Sequence, residues 1–310
     1  GIAFGVCGRI VSLYGPRGEL RGDELSIDYS HRPSIDDQIE WIAATTSRLI
    51  EESGIPASAI VGAGVGAEGV VNARIGDESF VPYGTWQQLP VGQELERRLG
   101  MPVIVANACH AEAAGEIWFG RGRTVDQLLY VSIGTTIGAA AVIEHEVQRG
   151  YLQLAGAIGH VVVDPDGVEC VCGKRGCLET IAGAWAVRMA GQAAVRARQS
   201  PRMTELCAGN PEMLTAASAL GKVLAPIVTA LGPEMVILQG DIPRCGSTAF
   251  RERVRAEIAA IGYSAPGATP QIVQTELPFS ATALGAAALA LDHFFFSPQL
   301  AKRGAITSPR

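Results

Sequence analysis

A two-lobed α/β fold is predicted by three observations. A theme of strand, glycine turn and strand opens at Ile2 and begins again at Leu128, helical stretches alternate with short apolar runs after each copy, and 48% of the 310 residues are apolar, enough for more than one core. The weak internal repeat points to two ribonuclease-H-like lobes with a cleft between them. A plain doubly wound sheet is the alternative.

Ile2 to Phe4 and Gly8 to Tyr14 have strand composition, and the turn Gly15-Pro16-Arg17-Gly18 leads to a third strand-like run, together a meander. Asp36 to Ser53 carries Ile39, Ile42, Ala43, Thr46, Leu49 and Ile50 at helical spacing, with Gly54 as the stop. Ile60 to Gly66 then suits a buried parallel strand. A helix over Val91 to Leu99, a strand over Pro102 to Val105 and a helix over Cys109 to Phe119 close the first copy. In the second, strands Leu128 to Ser132 and Ala139 to Ile143 flank the loop Ile133-Gly134-Thr135-Thr136-Ile137-Gly138. Helices over Ala182 to Arg198 and Leu214 to Leu231, a strand over Met235 to Leu238 and a helix over Ala281 to Phe294 follow. The expected domains are 1–118, completed by a helix at about 286–298, and 119–285, with 299–310 a mobile tail of low apolar density.

A net charge of −6 and 6% aromatic residues argue against this segment gripping a nucleic-acid backbone by itself. The apolar stretch Leu277 to Leu291 is interrupted by Ser280 and Thr282 and too short to span a bilayer. Gly1 to Gly5 lacks the basic flank of a targeting segment. Seven cysteines without paired spacing suit a reducing cytoplasm. The chain does not open on methionine, so a further upstream segment is expected.

The clearest chemical statement is His160 followed by Cys170-Val171-Cys172-Gly173-Lys174-Arg175-Gly176-Cys177-Leu178-Glu179. His160, Cys170, Cys172 and Cys177 make the Cys₃His set of a closed tetrahedral zinc site, structural because four protein ligands leave no open position. Gly173 and Gly176 let the backbone turn tightly enough for the thiolates to converge. Disulfides or a buried thiol cluster are the competing readings. Asp164 and Asp166, flanking Pro165, suit a turn rather than a metal pair. Cys7, Cys109, Cys207 and Cys245 are expected as small buried side chains, and His110 as a solvated helix position that could otherwise face the cleft.

The run Gly159-His160-Val161-Val162-Val163-Asp164-Pro165-Asp166-Gly167, with the cysteine motif after it, closely resembles the ROK family of sugar kinases and sugar-responsive repressors. The resemblance implies the actin/hexokinase-type two-lobed ATPase fold, a structural zinc on the same four residues, and sugar contacts from Asn107, His160 and Glu179. It also exposes losses. Where family kinases carry the Asp-x-Gly-x-Thr phosphate loop this chain has Ala3-Phe4-Gly5-Val6-Cys7, and where they carry Glu-Asn-Asp, whose Asp is the base, it has Ala106-Asn107-Ala108. Ala157 replaces a sugar-binding Glu, and Glu68 stands where a Pro-Gly turn has proline. Gly134, Thr135 and Gly138 are a nucleotide-loop remnant, with Thr136 in a usual glycine position and Gln239-Gly240-Asp241 in place of a triple glycine.

With no catalytic residue left at Ala3, Cys7 and Ala108, the resemblance implies a ligand-sensing domain of a transcriptional regulator rather than a kinase, forming a homodimer or tetramer in the cytoplasm. DNA would be read through a winged helix outside this chain. The effector is expected to be a sugar or derivative with fewer free hydroxyls, or an anionic one. A sugar kinase with relocated catalytic groups is the alternative, and a scaffold that binds no small molecule a third.

Overall fold

The computed structural model describes residues 1–5, 8–28, 34–72, 77–80, 90–187, 211–240, 247–263 and 269–296. Two compact units emerge. The first comprises Gly1–Arg123, Gly150–Leu154 and Leu277–Arg310, the second Thr124–Arg149 and Ala155–Glu276.

The first unit opens with β1 (Ile2–Phe4), β2 (Gly8–Tyr14) and β3 (Leu20–Asp28), the expected meander. Helix α1 (Ile35–Ser53) starts where the Ser34 hydroxyl accepts from the Asp37 N–H at 3.1 Å and stops at Gly54 in the left-handed region. Its stripe of Ile39, Ile42 and Leu49 is buried together with Ile2, Phe4 and Val11. The next strand, β4 (Ala63–Ala67), is shorter than the glycine-rich run suggested, because Ala57–Ala59 forms a 3-10 turn ahead of it. A small hairpin of β5 (Val70–Asn72) and β6 (Asp77–Phe80) precedes α2 (Val91–Leu99), β7 (Val103–Asn107) and α3 (Ala108–Phe119). The main sheet has the order β3-β2-β1-β4-β7, with β1, β4 and β7 parallel. Parallel pairing places Phe4 beside Ala67 and Ala67 beside Asn107, so the carboxyl ends of three strands coincide.

The second unit repeats the plan. Strands β8 (Gln127–Ile133), β9 (Ile137–Ile143) and β10 (Glu146–Gln148) form the meander. A short α4 (Glu179–Ala182) is followed by α5 (Pro211–Leu231), β11 (Met235–Gln239), α6 (Ser247–Ile261) and β12 (Gln271–Gln274), giving the order β10-β9-β8-β11-β12. The expected helix from Ala182 to Arg198 breaks at Gly183 and resumes over 184–187, and its remainder lies outside the described residues. So do Cys7, Cys207, Asp241, Cys245 and the 299–310 tail. By length and composition α5 could cross a membrane, but its apolar residues Leu220, Val223, Leu224 and Val228 lie in the core of this unit, against Val254 and Ile258 of α6.

Helix α7 (Ala281–Ala290) belongs to the first unit and runs into a π-helical turn over Leu291–Phe296. Its apolar residues are buried on every side, and Thr282 is its one polar side chain. Small residues let it lie backbone to backbone with α3, since a Cβ on Gly285 would stand 1.9 Å from the Ala111 carbonyl oxygen. Packing against α7 on one side and β4 on another buries α3 from Cys109 through Glu116. His110, expected at a solvated position, is consequently 1% exposed. The polar residues Glu112 and Glu116 are also inside. Glu112 Oε1 accepts from the Thr282 hydroxyl of α7 at 2.5 Å, and Glu116 Oε2 from the Arg121 N–H at 2.8 Å.

Candidate metal centre and strand-end site

In the second unit, His160 ends a 3-10 turn and the cysteines follow on a knuckle held by its own backbone. The Cys170 N–H donates to the Lys174 carbonyl at 2.7 Å, the Gly173 N–H to Cys170 at 2.9 Å and the Gly176 N–H to Val168 at 2.8 Å. Isolated bridges pair Val162 with Cys177 and Glu169 with Arg175, returning the last cysteine beside the histidine. Gly176 sits at φ +62°, and a Cβ there would lie 1.5 Å from the Asp164 carbonyl oxygen, so no other residue fits. Asp164 and Asp166 form the expected turn, with the Asp166 N–H on Asp164 Oδ1 at 3.2 Å.

The four donor atoms of His160, Cys170, Cys172 and Cys177 lie within 4.8 Å of one another. Cys170 Sγ is 3.5 Å from His160 Nδ1 and Cys172 Sγ 3.6 Å from Cys177 Sγ. A tetrahedron with zinc–ligand distances of roughly 2.0–2.3 Å has edges of about 3.3–3.8 Å, which those two pairs match, and the four donors suit a zinc ion in number and type. Burial, then hydrogen bonds that the Cys177 thiol donates to Cys172 and Cys170, push it up to about 12. Burial also raises Cys170. At Cys172 burial opposes ionisation, but the Lys174 backbone N–H and the two neighbouring thiols together bring it below its ordinary value. Three thiols crowded here cannot all ionise unaided, and a divalent cation is the chemistry that would discharge them together. Disulfides are absent among the described cysteines, which are all free.

Directly after the knuckle, Glu179 opens α4 and is 1% exposed. Its Oε2 accepts from the Ile137 N–H at 2.9 Å, fastening the knuckle's exit to the start of β9. The loop before β9 carries Gly134, Thr135 and Gly138. There the Gly134 N–H donates to the Thr136 carbonyl at 3.0 Å, while the Gly134 carbonyl accepts from Ala184 at 2.8 Å. An N–H spent inside its own loop is not aimed at a phosphate.

In the first unit the coincident strand ends gather Gly5, Glu68, Gly69, Asn107 and Ala108. Asn107 caps α3, its Oδ1 accepting from the Cys109 N–H at 2.9 Å and its Nδ2 donating to the Gly69 carbonyl at 2.7 Å. Ala108 is the first helical residue and offers only a methyl group. The Glu68 N–H donates to the Phe4 carbonyl at 3.1 Å, and its carboxylate turns back over β1, where a Cβ on Gly5 would lie 2.9 Å from Oε1. Burial, then the charges of Glu112 and Glu68, raise the Cys109 thiol well above its ordinary value and keep it unreactive. Sequence spacing missed Glu112 and Glu116, whose only signal is two carboxylates one turn apart in a helix of small residues. It also missed Arg9, 1% exposed, with its guanidinium 4.0 Å above the Phe4 ring and Nη1 on the Gly8 carbonyl at 2.7 Å.

Residues 17–293 match the family model described as ROK family. A glucokinase from Thermotoga maritima is 32% identical over 230 residues, covering 66% of this chain and 70% of that protein. The xylose repressor of Bacillus subtilis is 28% identical over 220 residues, 69% of this chain and 57% of the repressor's length. Among solved structures, a ROK family glucokinase from Streptomyces griseus in complex with glucose and AMPPNP superposes with a TM-score of 0.83 at 24% identity, over 94% of this chain and 98% of that one. Matching residues, the duplicated sheet order and the superposition agree on the actin/hexokinase-type two-lobed fold, and the chain belongs to the ROK family.

Proposed function

We propose that this chain is the sugar-sensing domain of a ROK-type transcriptional regulator that no longer transfers phosphate. The observation that carries the reading is Ala108, whose methyl group stands at the carboxyl end of β7 where family kinases present an aspartate base. Loss of a positioned general base removes on the order of 10²–10⁴ in rate. The phosphate side is weakened independently by Ala3 in β1 and by the Gly134 N–H turned into its own loop. Glu112, one helical turn beyond Ala108, is a carboxylate that could stand in for the base, but it is buried and takes the Thr282 hydroxyl.

In this reading the sugar contacts that the family resemblance assigns fall to His160 and Glu179 in the second unit and to Asn107 in the first, whose amide keeps a second hydrogen and a second lone pair beyond its two backbone bonds. His160 Nδ1 faces the thiols, which leaves Nε2 for a ligand hydroxyl. A zinc ion on His160, Cys170, Cys172 and Cys177 would supply a rigid cross-link and no catalysis. Binding would shift an equilibrium between conformations of a dimer or tetramer and so the spacing of two DNA-reading winged helices on a further segment. Both a repressor and a kinase stand among the relatives, so the choice rests on residues of this chain. Seven cysteines without paired spacing suit a reducing cytoplasm.

A coupled assay with magnesium-ATP and glucose, mannose or xylose decides. Turnover in the ordinary kinase range of about 1–100 s⁻¹ would sink the sensor. Thermal shift against the same sugars is expected to raise apparent stability by a few kcal/mol at about 100 times Kd, and no rise with any sugar would leave only a scaffold.

A further inference from the structure

The strand-end site of the first unit has lost the acids of a kinase, yet it is not neutral. Glu68 follows β4 directly, and its backbone is tied to β1 through the Phe4 carbonyl. The adjoining Gly69 carbonyl receives Asn107 Nδ2, so the position of Glu68 is fixed from both neighbouring strands. Its half-buried carboxylate lies against Gly5, with Cδ 3.3 Å and Oε1 2.9 Å from where a Cβ on that glycine would be. The Gly5 N–H donates to the Gly8 carbonyl at 3.1 Å, and the nearby Arg9 is buried over the Phe4 ring with Nη1 on the same carbonyl.

We propose that Glu68 is a specificity-determining residue, and that its carboxylate over Gly5 makes the strand-end site reject phosphorylated and other anionic ligands while admitting neutral sugars. The proposal rests on the sensor reading and sharpens it. Loss of Asp and Glu from the family motifs leaves room for an anionic effector, and Glu68 removes that option. A sensor that must report a free sugar gains from refusing the phosphorylated sugars and nucleotides made from it. Repulsion is a cheaper filter than a shaped wall, because charge acts over several ångströms without a close fit. The field around the site agrees, since Cys109 registers both Glu68 and Glu112.

The test compares the unsubstituted chain with Glu68→Gln and Glu68→Lys, using isothermal calorimetry with tripolyphosphate and ADP as anionic probes and xylose and glucose as neutral ones, at low and high salt. A unit charge several ångströms from a phosphate changes affinity by roughly tenfold to a hundredfold, depending on how much water screens it, and Arg9 holds the gain towards the lower end. Glu68→Gln is expected to tighten both anionic probes about tenfold, Glu68→Lys by more, with the difference shrinking at high salt and neutral sugars changing less than about twofold. Equal changes for anionic and neutral probes, no change in either variant, or no anion binding by any of the three proteins overturns the assignment. A structural role would move both classes together and would not follow salt. Phosphorylation of glucose by the unsubstituted chain would instead defeat the sensor reading, a separate outcome from the Glu68 comparison.

Discussion

The cysteine knuckle of the second unit and the strand-end site of the first carry opposite inventories of reactive groups within one duplicated plan. Around His160 every feature a metal needs is present, from four donors spaced within 4.8 Å to a glycine at φ +62° that nothing else can replace. Around Ala108 the scaffold is equally regular, with Asn107 capping α3 and three strand ends in register, but the side chains it carries there are a methyl and, over Gly5, the Glu68 carboxylate. A structural metal site fails when any ligand is lost, whereas a site that only binds needs a frame and no base.

The sharpest way to break that contrast is at the knuckle. Cys177→Ser removes the least exposed ligand, and elemental analysis should show loss of stoichiometric zinc together with more than about 4 kcal/mol of stability. A variant as stable as its parent, or a parent that purifies without zinc, would reduce the cluster to packed thiols. Gly176→Ala probes the backbone alone. Its Cβ has no room beside the Asp164 carbonyl, and denaturant melts should register a loss of about 2–4 kcal/mol. Next comes Glu179→Ala, which orphans the buried Ile137 N–H. Stability should fall by roughly 1–3 kcal/mol, and an unchanged midpoint would mean that the carboxylate is held for a ligand and not for the fold.

At the strand ends the expected stability effect is small and of opposite sign. An acid at the first position of α3 meets the positive end of the helix dipole, so Ala108→Asp should stabilise by about 0.3–1 kcal/mol. A loss beyond roughly 2 kcal/mol in the same melts would show that the methyl is there for packing and that its meaning for catalysis has been misread. The smallest effect serves as a control remote from both regions. Glu94 is held down to about 2, chiefly by its hydrogen bond to Arg97 and then by that to Arg98. A depressed carboxylate contributes above its ordinary value of 4.5 and loses that contribution as pH falls towards 2. Comparing Glu94→Gln with the parent from pH 6 to pH 2 should therefore show a small difference that closes in acid, leaving the contrast between the sites unchanged.

Much of this was legible before any coordinates. The knuckle could be read because its ligands and turn glycines lie within eighteen residues, where spacing alone limits geometry. The repeated meander could be read because strands a turn apart have little choice but to pair. His110 could not, since its burial depends on α7, which arrives from far along the chain to cover α3. Glu112 was hidden for the same reason, its partner Thr282 being 170 residues away.

The sequence by itself determined the family, the repeated order of strands and helices along the chain, the four candidate metal ligands and the methyl at position 108, all of them matters of residue type and local spacing. Only the tertiary structure decided that the Glu68 carboxylate lies over Gly5, that Asn107 spends both ends of its amide on the backbone, and that α3 is buried on nearly every side. Those facts depend on parallel pairing of strands separated by crossovers of tens of residues. Such pairing is set by the summed burial of whole elements, so no local pattern around Glu68 could have announced what it would face.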